Sequence, residues 1–461
     1  GAYVVAAGRA RTLAAALHSR GLLVYAEPNA LRHASQAPRA VGTDPLDNGW
    51  RDRVADPAIA PPPVTPASPL IALVDAALDA THPEFASRNV RTLGGIAVTE
   101  AHGTATASVA AAPQNGIGLT GLWPGARALN VPLRARITCS DSANGIARAI
   151  RNKASVINMS YGSALPCRAE TDAVQLAVGA GIVPVAAGGN ELTAGNPVEY
   201  PASLPHVVTV AAVDAADRPS SFSNSNAAID LAAPGEDIPT AVPVALDTDD
   251  GSQDGYEYQS GTSFSAPMVA AAIAWIRAAR PELLADQAAN VVRYSARDVG
   301  GKGYDADTGY GVLDVGAALK AKPDAHDPSE PNDDMRWIDG RAFTKPDRLL
   351  YRGAGKAVRL EATLDVYEDP ADVYRVKVPA GGSVAVSASP VYGDVSLAAY
   401  SPGATSLQDH RRRIGRSSHG GRRTEHLRIP NRSRAARTFF VVVQPAGRKR
   451  LDAGYTLRIG R

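Results

Sequence analysis

Five short apolar runs punctuate the earlier part of the chain: Leu70–Val74, Ala128–Pro132, Val156–Ser160, Ile182–Ala187 and Val207–Val213. Their length, about four to eight residues between turn-forming neighbours, suits strands buried on both faces. Small-residue segments lie between or after them, at Gly103–Ala112, Asn144–Ile150 and Ser263–Arg280, and these predict buried helices. Such alternation predicts a parallel sheet with helices on both faces. Beyond Ala321 the period changes to two, in Asp372–Val378, Ser383–Ser387, Phe439–Val443 and Tyr455–Ile459. Short strands at regular spacing predict a β-sandwich there. Ahead of the first run, Tyr3–Ala6, Arg9–His18 and Gly21–Glu27 read as strand, helix, strand, and the Pro/Ala-rich Ala55–Pro69 reads as a linker or extended segment.

Three residues sit where this pattern could make them reactive. Asp75 ends the first run, at a strand tip where open α/β sheets place their sites. His102 opens a small-residue helix. Ser263, in Gly261-Thr262-Ser263-Phe264-Ser265-Ala266-Pro267, stands at the N-terminus of the longest apolar helix. Pro267 is tolerated in that first turn, and the exposed amides and helix dipole favour developing negative charge. Asp, His, Ser is one of the unrelated chain orders of the catalytic triad, and it excludes the α/β-hydrolase order. Position 265 is Ser, so the G-x-S-x-G elbow is absent as well. Taken singly, each of these residues reads as an ordinary cap or turn residue, as do His82, His206 and Asp79.

Together the segments resemble the subtilisin-like serine proteases, the subtilases. The resemblance rests on Ile71–Asp79 with His82-Pro83-Glu84-Phe85, on His102-Gly103-Thr104, and on Gly261-Thr262-Ser263. Val156–Gly162 and Val183–Glu191 add two more matches, and the likeness runs from about Leu70 to Leu319. Ala76-Ala77, Ala101 and Ala105 depart from the usual family residues without removing a reacting group. The resemblance implies a three-layer, subtilisin-like α/β fold and a serine endopeptidase. Ser263 would be the nucleophile, His102 the base and Asp75 its orienting acid, with the Asn190 amide holding the oxyanion. Ser160, Tyr161, Gly162, Ala187, Gly188 and Gly189 would line the substrate site. These two segments carry no acid, so an apolar or aromatic residue before the cut is expected. A catalytically weak or inactive subtilase fold acting as a scaffold is the alternative.

The resemblance also implies a bridge between Cys139 and Cys167, the only cysteines, two free thiols being the other reading. Glu84, Asn115, Ile117 and Leu119 match a family calcium loop with oxygen ligands, although the same Asn-Gly-x-Gly turn serves without metal. No cofactor is expected for catalysis. Residues 1–45 read as a propeptide-like remnant, which the resemblance makes self-inhibitory, or as an N-terminal extension. Residues 46–322 would form the catalytic domain, 323–336 a linker and 337–461 a β-sandwich. Asp327–Asp333 and the Asp-x-Tyr strand make roughly 327–461 resemble the jelly-roll-like bacterial pre-peptidase C-terminal domain.

Composition changes this picture little. The 461 residues are 45% hydrophobic and 20% charged, ordinary for a globular chain of more than one domain. A net charge of +2 gives no general attraction to nucleic acid or membranes. Arg411–Arg413, Arg416, Arg422 and Arg423 read as a solvated loop cluster. No apolar run approaches a membrane span. Gly1–Val4 does not resemble a signal peptide, and a monomer secreted from a bacterium, acting on protein or peptide substrates, is expected.

Overall fold

A computed structural model describes residues 4–18, 20, 27–29, 31–34, 46, 49–248, 251–323, 329–341, 348–447 and 452–460. The chain divides into two compact units, Gly1–Asp324 and Ala325–Arg461.

In the first unit the elements run α1 (Ala7–His18), β1 (Leu31–Ala34), α2 (Gly49–Val54), β2 (Ile71–Asp75), β3 (Val90–Thr92), α3 (His102–Ala111) and β4 (Ala128–Pro132). Next come β5 (Ile137–Thr138), α4 (Cys139–Arg151), β6 (Val156–Met159), β7 (Tyr161–Gly162), α5 (Arg168–Gly179), β8 (Val183–Ala187), β9 (Val208–Val213) and β10 (Leu231–Pro234). The hairpin β11 (Ile238–Ala241) and β12 (Tyr256–Gln259) precedes α6 (Thr262–Ala279), α7 (Ala285–Tyr294) and α8 (Val315–Lys320).

Seven strands form a parallel sheet in the order β10-β9-β8-β6-β2-β4-β3. Alternating side chains feed two separate cores. Ile71 and Leu73 join the cluster of α3, α6 and α7, whereas Ala72 and Val74 join Ile146, Ala149, Val174 and Ala177 of α4 and α5. Period-two geometry alone explains that split, because successive side chains on a strand point to opposite faces. Helix α3 is buried along its whole length, and α6 is buried from Thr262 to Ile276. Both helices therefore need small residues, and the sequence supplies Ala, Gly, Ser and Thr at most positions of α3.

The expected helix at Asn144–Ile150 starts earlier, at Cys139, because Thr138 and Asp141 form a reciprocal capping box. The expected strand at the start of the chain is absent in its described part, residues 4–6. Most of the strand expected at 21–27 lies outside the described residues. Cys139 and Cys167 are disulfide-bonded with Cα atoms 6.2 Å apart, as the resemblance implied. The bridge ties the starts of α4 and α5, which pack together on one face of the sheet.

The second unit contains α9 (Met335–Ile338) and eight strands: β13 (Val358–Asp365), β14 (Asp372–Val378), β15 (Ser383–Tyr392), β16 (Val395–Tyr400), β17 (Arg413–Ser417), β18 (Glu425–Pro430), β19 (Arg437–Pro445) and β20 (Asp452–Gly460). They pair antiparallel in two four-stranded sheets, β13-β20-β15-β18 and β14-β19-β16-β17. Val384 and Val386 of one sheet share a core with Leu397, Val441 and Val443 of the other, which makes the unit a sandwich. β16 is buried on both faces because Met335, Trp337 and Ile338 cover the outside of its sheet. That cover explains why Val395–Tyr400 is apolar on both faces at every position but Ser396 rather than alternating. The basic cluster at Arg411–Arg413, Arg416, Arg422 and Arg423 is exposed.

Leu73, fully buried in a central strand, tests the first core. In a Ser263→Ala background, which removes the hydroxyl expected to digest the sample, Leu73→Ala should destabilise the chain by about 2–5 kcal/mol in urea unfolding.

Candidate active site

The C-terminal edge of the parallel sheet gathers the residues singled out in the sequence. Asp75, the last residue of β2, is buried and accepts three hydrogen bonds. The Ala76 amide donates to Oδ1 at 2.7 Å, the Thr106 hydroxyl to Oδ2 at 3.0 Å, and His102 Nδ1 to Oδ1 at 2.7 Å. An ionised carboxylate can only accept, so Nδ1 carries the proton and Nε2 is left as the basic nitrogen. Nε2 is buried and has no partner among the described residues. Burial would by itself lower the His102 pKa from the ordinary 6.5; the Asp75 charge and hydrogen bond, with the Glu100 charge, outweigh it and raise the value.

Gly103 makes this pair possible. A Cβ there would lie 2.1 Å from the Ala76 carbonyl oxygen. Asn130, fully buried on β4, holds the same turn by donating to the Ala76 carbonyl at 2.8 Å and accepting from the Leu78 amide at 3.2 Å. The Asp79 amide donates to Thr104 Oγ1 at 3.0 Å. The loop after Asp75 is thus bound to the first turn of α3 and to β4.

Ser263 lies in the first turn of α6, fully buried, and its hydroxyl donates to the Ser160 carbonyl at 3.2 Å. Ser160 Oγ donates back to the Ser263 carbonyl at 2.9 Å. The ring of Phe264, next in sequence, has its centroid 5.9 Å from that of His102. These contacts bring the nucleophile candidate and the base candidate to one place.

Asn190 follows β8. Its Oδ1 accepts from the Thr262 amide and the Thr262 hydroxyl, both at 3.0 Å, which fixes the amide orientation. Its Nδ2 is buried and has no partner among the described residues. Gly189 must be glycine: its φ is +106°, and a Cβ would lie 2.2 Å from Asn224 Nδ2.

The segment after Ser160 forms β7, and β1 from the N-terminal part of the chain pairs with it. His33 stands opposite Gly162 and Ala34 opposite Tyr161, while Leu31 and Arg32 face Thr138 and Ile137 of β5. The result is a three-stranded antiparallel sheet, β5-β1-β7. Just before it, the Glu27 carboxylate accepts from the Arg168 and Ala169 amides at 2.6 and 2.8 Å, at the start of α5. Asn29 Oδ1 accepts from the Ser140 amide at 2.8 Å, at the start of α4. These three bonds satisfy first-turn amides that have no intrahelical acceptor.

Of the remaining substrate-segment residues, Ala187 and Gly188 are buried beside Gly189. Tyr161 points its hydroxyl to Ser142 Oγ at 2.8 Å. Sequence reasoning missed Thr106, Asn130, Glu170 and Glu199. Glu199 is buried, and its Oε2 would lie 2.1 Å from a Cβ at Gly162, so the missing side chain there makes room for the carboxylate. The backbone bridge between Ser163 and Tyr200 places it.

The residues expected to form a calcium loop are joined to one another by hydrogen bonds. Glu84 is fully buried, and its Oε1 accepts from the Leu119 amide and the Tyr256 hydroxyl, both at 2.9 Å. Asn115 Oδ1 accepts from the Ile117 amide at 3.1 Å. Glu84 Oε2 is buried and has no partner among the described residues. His82 and Asp79 are structural, as expected: His82 accepts from the Glu84 amide and donates to the Gly255 carbonyl, and Asp79 accepts from Thr81.

Residues 67–311 match the subtilase family. The chain belongs to that family, and by family it is a subtilisin-like serine endopeptidase. It is 32% identical to a subtilisin of Bacillus pumilus over 263 residues, covering 54% of this chain and 90% of that protein. It is 32% identical to subtilisin E of Bacillus subtilis (strain 168) over 263 residues, covering 65% of that sequence. The fold is also similar to the crystal structure of fervidolysin from Fervidobacterium pennivorans, with a TM-score of 0.51 at 20% identity over 78% of this chain and 66% of the other.

Gly103→Ala should separate Asp75 from His102. The expected outcomes are loss of the downfield imidazole N–H proton resonance and a roughly 100-fold fall in kcat/KM on a peptide substrate, the size that misplacement by about an ångström produces. An unchanged resonance with full activity would show that α3 can back away at no cost.

Proposed function

We propose that the chain hydrolyses peptide bonds through Asp75, His102 and Ser263. The observation that carries this reading is the buried Asp75–His102 bond, which leaves Nε2 basic at the sheet edge where Ser263 begins α6. Ser263 Oγ attacks the scissile carbonyl while His102 Nε2 takes its proton. Asp75 stabilises the imidazolium that forms. The Asn190 amide and the Ser263 amide hold the oxyanion, and His102 then protonates the departing amine. Water, deprotonated by His102, releases the acyl group and restores the hydroxyl. A scaffold without activity gains no support, since each reacting group is present and hydrogen-bonded into place or carries an unused buried atom.

The N-terminal segment, residues 1–45, is proposed as a self-inhibitory element, because β1 lies as a strand between β5 and β7. Residues 46–322 are proposed as the catalytic domain and 337–461 as a module of the pre-peptidase type, joined by 323–336. Action outside the cell is supported by the disulfide, and no helix among the described residues is long and apolar enough to cross a membrane.

A fluorophosphonate probe tests the triad. The adduct should sit on Ser263 alone and vanish in Ser263→Ala, and Asp75→Asn should slow its formation by about 10⁴-fold, the scale such changes have in Ser-His-Asp triads. Labelling requires neutral His102. With its pKa raised, the rate should fall as the pH drops through a midpoint above 6.5. Labelling elsewhere, or none after the N-terminal segment is trimmed, would overturn the assignment.

For the residue immediately before the cut, the small walls Ala187, Gly188 and Gly189 favour an apolar or aromatic side chain. Glu199 beside Gly162 supports a second reading, a basic side chain whose apolar stem fills the slot and whose charge meets the carboxylate. Peptide-library profiling separates them: dominant cutting after Arg or Lys that disappears in Glu199→Gln supports the second, and cutting after Phe, Leu or Tyr in both proteins supports the first.

A further inference from the structure

Arg32, the second residue of β1, is bound by a pocket that no backbone pairing requires. Its Nε donates to Glu170 Oε1 at 3.1 Å and its terminal nitrogen to Oε2 at 2.7 Å, a two-pronged fork on one carboxylate. The other terminal nitrogen donates to the Leu165 carbonyl at 3.0 Å. Both charged side chains are 0% exposed. Glu170 stands in the first turn of α5, which the Cys139–Cys167 bridge ties to α4. Tyr161 lies close enough to feel both charges, and burial with the Glu170 charge keeps its hydroxyl protonated.

The register locates this pocket relative to the bond that would be cut. Ala34 faces Tyr161, so a peptide continuing in that register sets its next residue opposite Ser160. The Ser160 carbonyl accepts from Ser263 Oγ, so the substrate carbonyl nearest the nucleophile belongs to that next residue. Counting back from it through the positions of Ala34 and His33, the position of Arg32 is fourth before the cut.

We propose that Glu170 is a specificity-determining residue that selects arginine at the fourth position before the scissile bond, and that Arg32 is the chain's own occupant of that site. The proposal rests on the peptidase reading above. A buried carboxylate is tolerable when a guanidinium satisfies both oxygens, and a side chain that leaves it unpaired is rejected. The planar fork favours arginine over lysine, whose single ammonium cannot bridge both oxygens in this geometry. An uncharged residue of the same shape fails for lack of charge.

The test uses the full chain and quenched fluorogenic peptides that differ only at the fourth position, carrying Arg, Lys or citrulline, the uncharged isostere of arginine. Arginine should exceed citrulline in kcat/KM by ten-fold or more, chiefly through KM, with lysine between them. Glu170→Gln should bring the arginine-to-citrulline ratio to within about two-fold. Equal rates for arginine and citrulline in the unsubstituted protein would overturn the proposal, and this comparison needs no variant to fold. If no peptide is cut and Ser263 takes no label even after the N-terminal segment is trimmed, the peptidase reading is what fails. Fluorescence anisotropy of the same labelled peptides on the unsubstituted protein then decides the Glu170 proposal alone, tighter binding of the arginine peptide supporting it and equal binding overturning it.

Discussion

The carbonyl of Ala76 and the backbone of Gly103 approach so closely that a Cβ at position 103 would lie 2.1 Å from that oxygen. This approach brings the first turn of α3 against the end of β2, and the rest of the site follows from it. His102 reaches Asp75 at 2.7 Å, Thr106 one turn later reaches the other carboxylate oxygen, and Thr104 holds the loop beyond. The pair is buried, so its two charges interact strongly, and the desolvation of the imidazole is more than offset by its partner. Glycine here is a steric requirement of the neighbouring His102–Asp75 contact. Asn130 completes the arrangement from the neighbouring strand, where it holds the turn with its own amide and carbonyl oxygen.

The sheet and its central helices were legible in the sequence because their signal is local. Apolar runs between turn residues mark β2, β4, β6, β8 and β9, and small-residue composition marks α3 and α6. Asp75, His102, Asn190 and Ser263 could be singled out for the same reason, each occurring at the end of such an element. Glu170 and Glu199 could not. Glu170 meets Arg32 across 138 positions of sequence, and Glu199 reaches the substrate strand only through the bridge between Ser163 and Tyr200. A lone Glu in the first turn of a helix is an ordinary dipole-favoured residue, and nothing local distinguishes one that faces inward. The Tyr256 hydroxyl, from the unforeseen β11–β12 hairpin, likewise donates to Glu84 across 172 positions, a contact with no local signal.

The two faces of the sheet do different work. The α3–α6 face is packed with small residues so that two helices bearing His102 and Ser263 can come together, and its tolerance for larger side chains is correspondingly low. The opposite face carries α4 and α5, whose first turns are tied by the disulfide and point toward the β5-β1-β7 sheet. Their first-turn amides donate to Asn29 and Glu27, and Glu170 of α5 accepts from Arg32. His102 and Ser263 thus stand on one layer and the groups that hold β1 on the other, with Ser160 bound reciprocally to Ser263.

If, as proposed, the N-terminal segment is self-inhibitory, it occupies the contacts that a substrate would use. Glu27, Asn29 and Arg32 are each held by a group belonging to α4, α5 or the loop before α5, and β1 adds backbone pairing on both edges. While the segment is part of the same chain, these contacts operate at the effective concentration of a tethered ligand and exclude competitors. Cutting the tether removes that advantage but leaves each contact intact. Release then depends on breaking a buried Arg–Glu fork, a step that strands Glu170 until another guanidinium arrives. On the proposals above, a substrate bearing arginine at the matching position would supply one, so the carboxylate that retains the segment would also favour its replacement by a substrate of the same kind.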